Sequence, residues 1–202
     1  MLIHTAPRLI AVLLAAGRGA RAGGDKLRQE KDGRALISHA LAPVLESGVF
    51  IHIAGVCAGA PEVFEGVPNG LDYVLEAPPS GPFSASVAAA LRHAEALDAD
   101  AVALVLADMP MVRADTYRAL GAAWTPDAIA VLPVHDGRDG NPLLAGRAAY
   151  GLRDHLSSDR GLRPLIVDHP ALVRLPVNDR GVLLDIDTPD DLARWRAGTL
   201  SD

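Results

Sequence analysis

The chain has 202 residues, half of them hydrophobic and 22% charged, which suits one domain with a substantial core and excludes a disordered chain. Its net charge of −6, with no long basic run, disfavours nucleic acid as a partner. The single cysteine, Cys57, excludes an internal disulfide and predicts a reducing, cytoplasmic setting; no stretch suits a membrane span or signal peptide, and no paired histidines suggest structural zinc.

Residues 1–7 read as a short tail and 8–202 as one domain. Short apolar runs then alternate with helical patterns. Strands are expected over Leu9–Leu14, Val49–Ala54, Leu71–Leu75, Ala101–Leu106, Ala128–Pro133, Asn141–Ala145 and Leu172–Val177. Helices are expected over Ala35–Glu46, Ser84–Leu97 and Ala114–Trp124, with Pro43 placed to kink the first or begin its second part. Gly181–Ile186 is either a strand or an extended segment feeding a last helix. That helix starts clearly: Thr188 as N-cap, Pro189 next, then Asp190 and Asp191 near the positive end of the dipole. The alternation predicts an α/β fold, Rossmann-like, with a mostly parallel central sheet and helices on both faces. Cys57 follows an apolar strand and reads as a buried core thiol.

The segment from Leu13 to Lys26, Leu-Leu-Ala-Ala-Gly-Arg-Gly-Ala-Arg-Ala-Gly-Gly-Asp-Lys, follows the first strand. Its glycines allow tight turning and close backbone approach, and Arg18, Arg21 and Lys26 add positive charge, a combination suited to a polyphosphate. A Walker loop would need Gly-Lys-Ser/Thr, but Lys26 follows Asp25 and precedes Leu27. A dinucleotide fingerprint fits the spacing Gly17-x-Gly19-x-x-Ala22. It also expects an acid ending the second strand, where Val56-Cys57-Ala58 stands. The pattern Leu-Ala-Ala-Gly-x-Gly-x-Arg-x-Gly-x-x-Lys of nucleotidyltransferases is met at every fixed position. A plain glycine-rich connector would leave the three clustered cations unexplained.

Ligands of open parallel sheets bind beyond the carboxyl ends of the strands, where topology can gather distant segments. Asp108 ends an apolar strand, and its hard oxygens suit Mg²⁺; the plainer alternative is a turn aspartate before Pro110. Asp185 and Asp187, two apart in extended chain, share one side and need a cation between them, a metal ion or an arginine. Ser84 and Ser86 open a helix, where plain capping is a role Ser84 can fill alone. Gly140-Asn141-Pro142 suits a turn between strands, and Arg163 either grips a phosphate or is a surface charge.

The ordered set of segments, from the first strand to Asp185-Ile186-Asp187-Thr188-Pro189, resembles the MobA/MocA-like nucleotidyltransferases, which attach a nucleoside monophosphate to molybdopterin-type acceptors. The resemblance implies a fold of the nucleotide-diphospho-sugar transferase type. It implies catalytic roles for Lys26, Arg21 and Asp108, and Mg²⁺ on Asp108, Asp185 and Asp187. It implies nucleotide binding by Leu14, Ala15, Ala16, Gly17, Arg18, Gly19 and Lys26, with Pro79, Ser80, Gly81, Ser84 and Ser86 beside the base and ribose. Gly140, Asn141, Pro142, Gly161 and Arg163 would face the acceptor. This chain has Gly81-Pro82-Phe83-Ser84-Ala85-Ser86 where the family more often has Gly-Leu-Ser-x-Ser, and Ser158 and Leu162 depart from its Gly-Asp-x-Gly-Ala-Arg. Leu14-Ala15-Ala16-Gly17 is nearer the cytidylyl branch than the guanylyl branch, so CTP and molybdenum cofactor are the expected substrates, with a molybdenum enzyme as recipient of the product. The alternatives are a guanylyltransferase acting on molybdopterin or a small phosphorylated acid such as phosphoenolpyruvate, and a non-catalytic carrier of the cofactor.

Overall fold

The computed structural model describes residues 6–15, 26–67, 70–78, 81–157 and 160–200. Strand β1 (Leu9–Leu14) lies at the centre, buried along its whole length. Leu9, Ala11 and Leu13 enter one apolar cluster, and Ile10, Val12 and Leu14 enter another on the opposite face. A strand buried on both sides must be apolar at every residue, which is why Leu9–Leu14 and β6 (Ala101–Leu106) carry no polar alternation.

The remaining strands are β2 (Glu30–Lys31), β3 (Arg34–Ala35), β4 (His52–Cys57), β5 (Tyr73–Glu76), β7 (Ala130–His135), β8 (Arg138–Asp139), β9 (Leu143–Gly146) and β10 (Leu172–Pro176). The main sheet has eight strands in the order β10-β7-β9-β6-β1-β4-β5, with β8 paired to β7. Parallel pairing joins β1 to β4 and β6, β4 to β5, and β7 to β10; β9 runs antiparallel between β6 and β7. Register sets Leu14 beside Val56 on one side and Leu106 on the other, so these strands end at one edge. Helices α1 (Leu36–Ser47), α3 (Ala114–Ala123) and α5 (Pro189–Ala197) bury Leu41, Tyr117 and Trp195 on one face. Helix α2 (Phe83–Ala96) buries Val87, Leu91 and Ala94 on the other, and a short α4 spans Arg163–Ile166. The expected α/β architecture is therefore present.

Several boundaries differ from expectation. The second long strand is His52–Cys57, not Val49–Ala54: its limits follow pairing with β1, while Val49 and Phe50 pack beside the helices and Ile51 is 63% exposed. Strand β7 begins and ends two residues later than hydropathy indicates, because Val134 and His135 pair with Asp139 and Arg138. Gly181–Ile186 is not a strand. Arg180–Leu183 forms a 3₁₀ turn and an extended segment follows it, the second of the two expected possibilities. Helix α1 continues through Pro43. Two hairpins lie outside the expected elements, turning at Asp32-Gly33 and Asp136-Gly137 with positive φ at all four residues, the backbone such tight turns demand.

Candidate active site

The carboxyl ends of β1 and β6 are laced together: the Ala107 N–H donates to Leu14 O at 3.2 Å, while the Ala15 N–H donates to Val56 O at 2.9 Å. Ala16, Gly17, Arg18, Gly19 and Arg21 lie outside the described residues, as do Pro79 and Ser80. Lys26 is the first residue described after that segment. It starts a turn in which the Gln29 N–H donates to Lys26 O, and buried Leu27 accepts from the N–H of Ile37 in α1.

That turn aims Lys26 across the edge of the sheet. Its ammonium donates to Asp108 Oδ2 at 3.2 Å and to Asp187 Oδ1 at 3.3 Å. Lys26 and Asp108 are half-buried, with side chains 19% and 29% exposed, while Asp187 is 65% exposed. Asp187 joins the site because the Ile186 N–H donates to Asp108 O at 2.9 Å and the Ile186 side chain is fully buried. In extended chain its two neighbours then turn the other way, toward solvent and the cleft. Thr188 is the N-cap, as the sequence predicts, and its capping box with Asp191 fixes the segment on its far side.

Asp185 reaches the surface, but protein packed around its carboxyl strips part of its hydration. That withdrawal from water raises its pKa above the usual carboxylate range, and the Asp187 and then the Asp108 charges raise it further. Among the described residues, the charge of Asp185 meets those of Asp187 and Asp108, and one ammonium bonds two of these three acids, which leaves negative charge in excess. Among the described residues, no three His, Cys, Asp or Glu side chains enclose a metal ion by themselves. The donor set still fits a small divalent cation, which takes one or two carboxylates and completes its shell with substrate phosphates and water.

A cavity of about 290 Å³ adjoins this edge. It brings nucleotide-assigned Leu14 together with acceptor-assigned Asn141, Gly161 and Arg163, and adds Phe83 and Arg160, which the sequence had not singled out. Gly161 (φ +62°) disfavours a side chain: its backbone is left-handed, and a Cβ would press on the Phe83 ring at 3.1 Å. Arg163 is committed to its neighbours: it donates to Asp139 O, to Gly140 O at 2.7 Å and to Asn141 Oδ1 at 3.2 Å. It braces the Gly140-Asn141-Pro142 loop, so neither surface charge nor open phosphate fork describes its present contacts. Gly140 is packed against Val182, and the Asn141 N–H donates to Val182 O at 2.8 Å. Gly81 closes a turn on Pro78 O. The N-cap of α2 is Pro82 without a side-chain bond, so Ser84 is not the cap; Ser84 and Ser86 are buried in the first turns.

Open α/β sheets bind their ligands beyond the carboxyl ends of the strands, which is where this lysine–carboxylate cluster stands. The chain belongs to the MobA-like NTP transferase domain family, which matches residues 11–173, and is thus a nucleotidyltransferase by family. The purine catabolism protein PucB of Bacillus subtilis is 29% identical over 197 residues, 92% of this chain and 94% of that one. The crystal structure of an Rv0371c homologue from Mycobacterium sp. strain JC1 superposes with a TM-score of 0.80 at 28% identity, covering 96% of this chain and 97% of that chain. Rv0371c of Mycobacterium tuberculosis H37Rv, in complex with manganese, gives 0.75 at 26% identity over 96% of this chain and all of that one.

Proposed function

We propose that the protein transfers the nucleoside monophosphate of CTP to a molybdopterin-type phosphate acceptor, with Mg²⁺ or a similar divalent ion. The observation that carries this reading is the Lys26 ammonium held between Asp108 and Asp187 at the strand edge. An oxygen of the acceptor phosphate forms a bond to the α-phosphorus as the bond from that phosphorus to the bridging oxygen breaks. Pyrophosphate leaves with the electron pair. The acceptor phosphate is already ionised at neutral pH, so no residue need remove a proton; alignment and charge neutralisation are the chemistry required. Lys26 neutralises charge near the α-phosphate and the incoming oxygen. Arg21, with the N–H groups of Gly17 and Gly19, holds the β- and γ-phosphates. Asp108, Asp185 and Asp187 would hold the divalent ion, which supplies Lewis-acid polarisation of phosphate oxygens.

The manganese complex of Rv0371c supports the divalent requirement. Leu14-Ala15-Ala16-Gly17 supports CTP. The cavity joining Leu14 to Asn141 and Arg163 supports an acceptor seated beside the nucleotide. Pyrophosphate release with Mg²⁺, molybdenum cofactor and each of the four ribonucleoside triphosphates tests the reading. Release with CTP alone, dependent on the cofactor, is expected. Release with GTP alone overturns the cytidylyl assignment; no release from protein that binds nucleotide overturns the acceptor or leaves a carrier.

A further inference from the structure

We infer that Asp179, which sequence patterns had not singled out, is a positioning residue for the acidic pair Asp185 and Asp187; the inference rests on the reading of that pair as cation ligands. Asp179 is only 4% exposed. Its carboxylate is fully engaged: Oδ2 accepts from the Arg113 N–H at 2.9 Å and the Thr116 hydroxyl at 2.5 Å, and Oδ1 accepts from the Gly181 N–H at 3.0 Å. Arg113 is the N-cap residue of α3 and makes no side-chain cap of its own. Asp179 therefore caps, from a remote segment, the helix that follows the Asp108 loop. Arg113 also donates from Nη2 to Asn178 O at 2.5 Å.

The latch has a second half. Gly181 lies so close to the Asp108 loop that a Cβ there would stand 2.1 Å from Met111 O. From Gly181 the 3₁₀ turn leads through Val182, whose carbonyl holds Asn141, to Ile186, whose N–H holds Asp108. One segment thus spans the acceptor loop and the acid cluster, and Asp179 is its anchor at the upstream end. A buried carboxylate accepting three hydrogen bonds is costly to desolvate, so a structure retaining it gains placement of the bonded groups. Replacing it by an amide puts an NH₂ against an N–H donor and frees either α3 or Gly181.

The test is binding of Mn²⁺ alone, measured by electron paramagnetic resonance, on the full-length wild type, Asp179→Asn and Thr116→Val, each checked by circular dichroism. Asp179→Asn is expected to weaken Mn²⁺ binding about tenfold or more, and Thr116→Val about threefold, with secondary structure retained. Wild-type affinity in folded Asp179→Asn overturns the inference, since a purely structural role lowers the melting temperature and leaves the Mn²⁺ Kd unmoved. Should Asp179→Asn not fold, Thr116→Val decides by the same criterion. Absence of Mn²⁺ binding by the wild type overturns the cation-site reading itself, a result distinct from equal binding by wild type and variant.

Discussion

The Ile186 N–H donates to Asp108 O at 2.9 Å, and this bond orients the C-terminal acids. With Ile186 buried and tied to the end of β6, the flanking Asp185 and Asp187 turn outward together. Lys26, from a third segment, then finds Asp108 and Asp187 within bonding reach.

Asp185 sits where negative charge is disfavoured, by loss of hydration first and by Asp187 and Asp108 after it. A carboxyl with a raised folded-state pKa contributes most favourably when protonated, below its ordinary range. That contribution is lost as pH rises through the raised value. At neutral pH without metal, Asp185→Asn should therefore melt about 1–3 °C higher than wild type. The same variant should lose most of the stabilisation that Mn²⁺ confers on wild type. Thermal melts with and without Mn²⁺ check both; a lower metal-free melting temperature with undiminished Mn²⁺ stabilisation contradicts the assignment.

Arg163 braces Asp139, Gly140 and Asn141 through three hydrogen bonds from one guanidinium. Bonds of this charged kind contribute about 1.5–3 kcal/mol each when buried, so loosening the loop should be measurable. Arg163→Ala should raise the KM for the acceptor about tenfold, an effect of about 1.4 kcal/mol, and leave the KM for CTP near wild type. Steady-state kinetics with each substrate varied in turn make the distinction.

Gly181→Ala places a Cβ against the Met111 backbone, which cannot yield as a flexible side chain would. A loss of about 2 kcal/mol in unfolding free energy is expected, by urea denaturation. Transfer should fall by more than the fraction unfolded accounts for, because the displaced segment carries Asp185 and Asp187.

The sheet's centre is legible in the sequence because β1 and β6 are buried on both faces and read as unbroken apolar runs. The helix start at Thr188 is equally plain, since cap, proline and acids stand in order. The apolar trio Val49, Phe50 and Ile51 misleads: burial against helices and exposure at a loop look the same as strand hydropathy. The two small hairpins pair only two residues on each side, too few to show a strand period, and only the dipeptides Asp32-Gly33 and Asp136-Gly137 signal them. Asp108 and Lys26 are expected together because both follow strand ends at one edge. The spacing of Asp185 and Asp187 marks them as a pair, but nothing in it foretells the Ile186–Asp108 bond that brings them to the site. Asp179 reads as an ordinary polar loop residue in Asn178-Asp179-Arg180-Gly181; its burial depends on α3, over 60 residues earlier. The commitment of Arg163 to loop carbonyls is likewise invisible in one dimension.

The central claim is that Lys26 neutralises charge at the reacting phosphate, and turnover of Lys26→Ala tests it most directly. Pyrophosphate release would be measured with CTP, Mg²⁺ and molybdenum cofactor, on protein whose circular dichroism matches wild type. The account predicts a folded variant whose kcat falls about 10²-fold or more, as loss of a charge-stabilising group does. Near-normal turnover in that folded variant would contradict it.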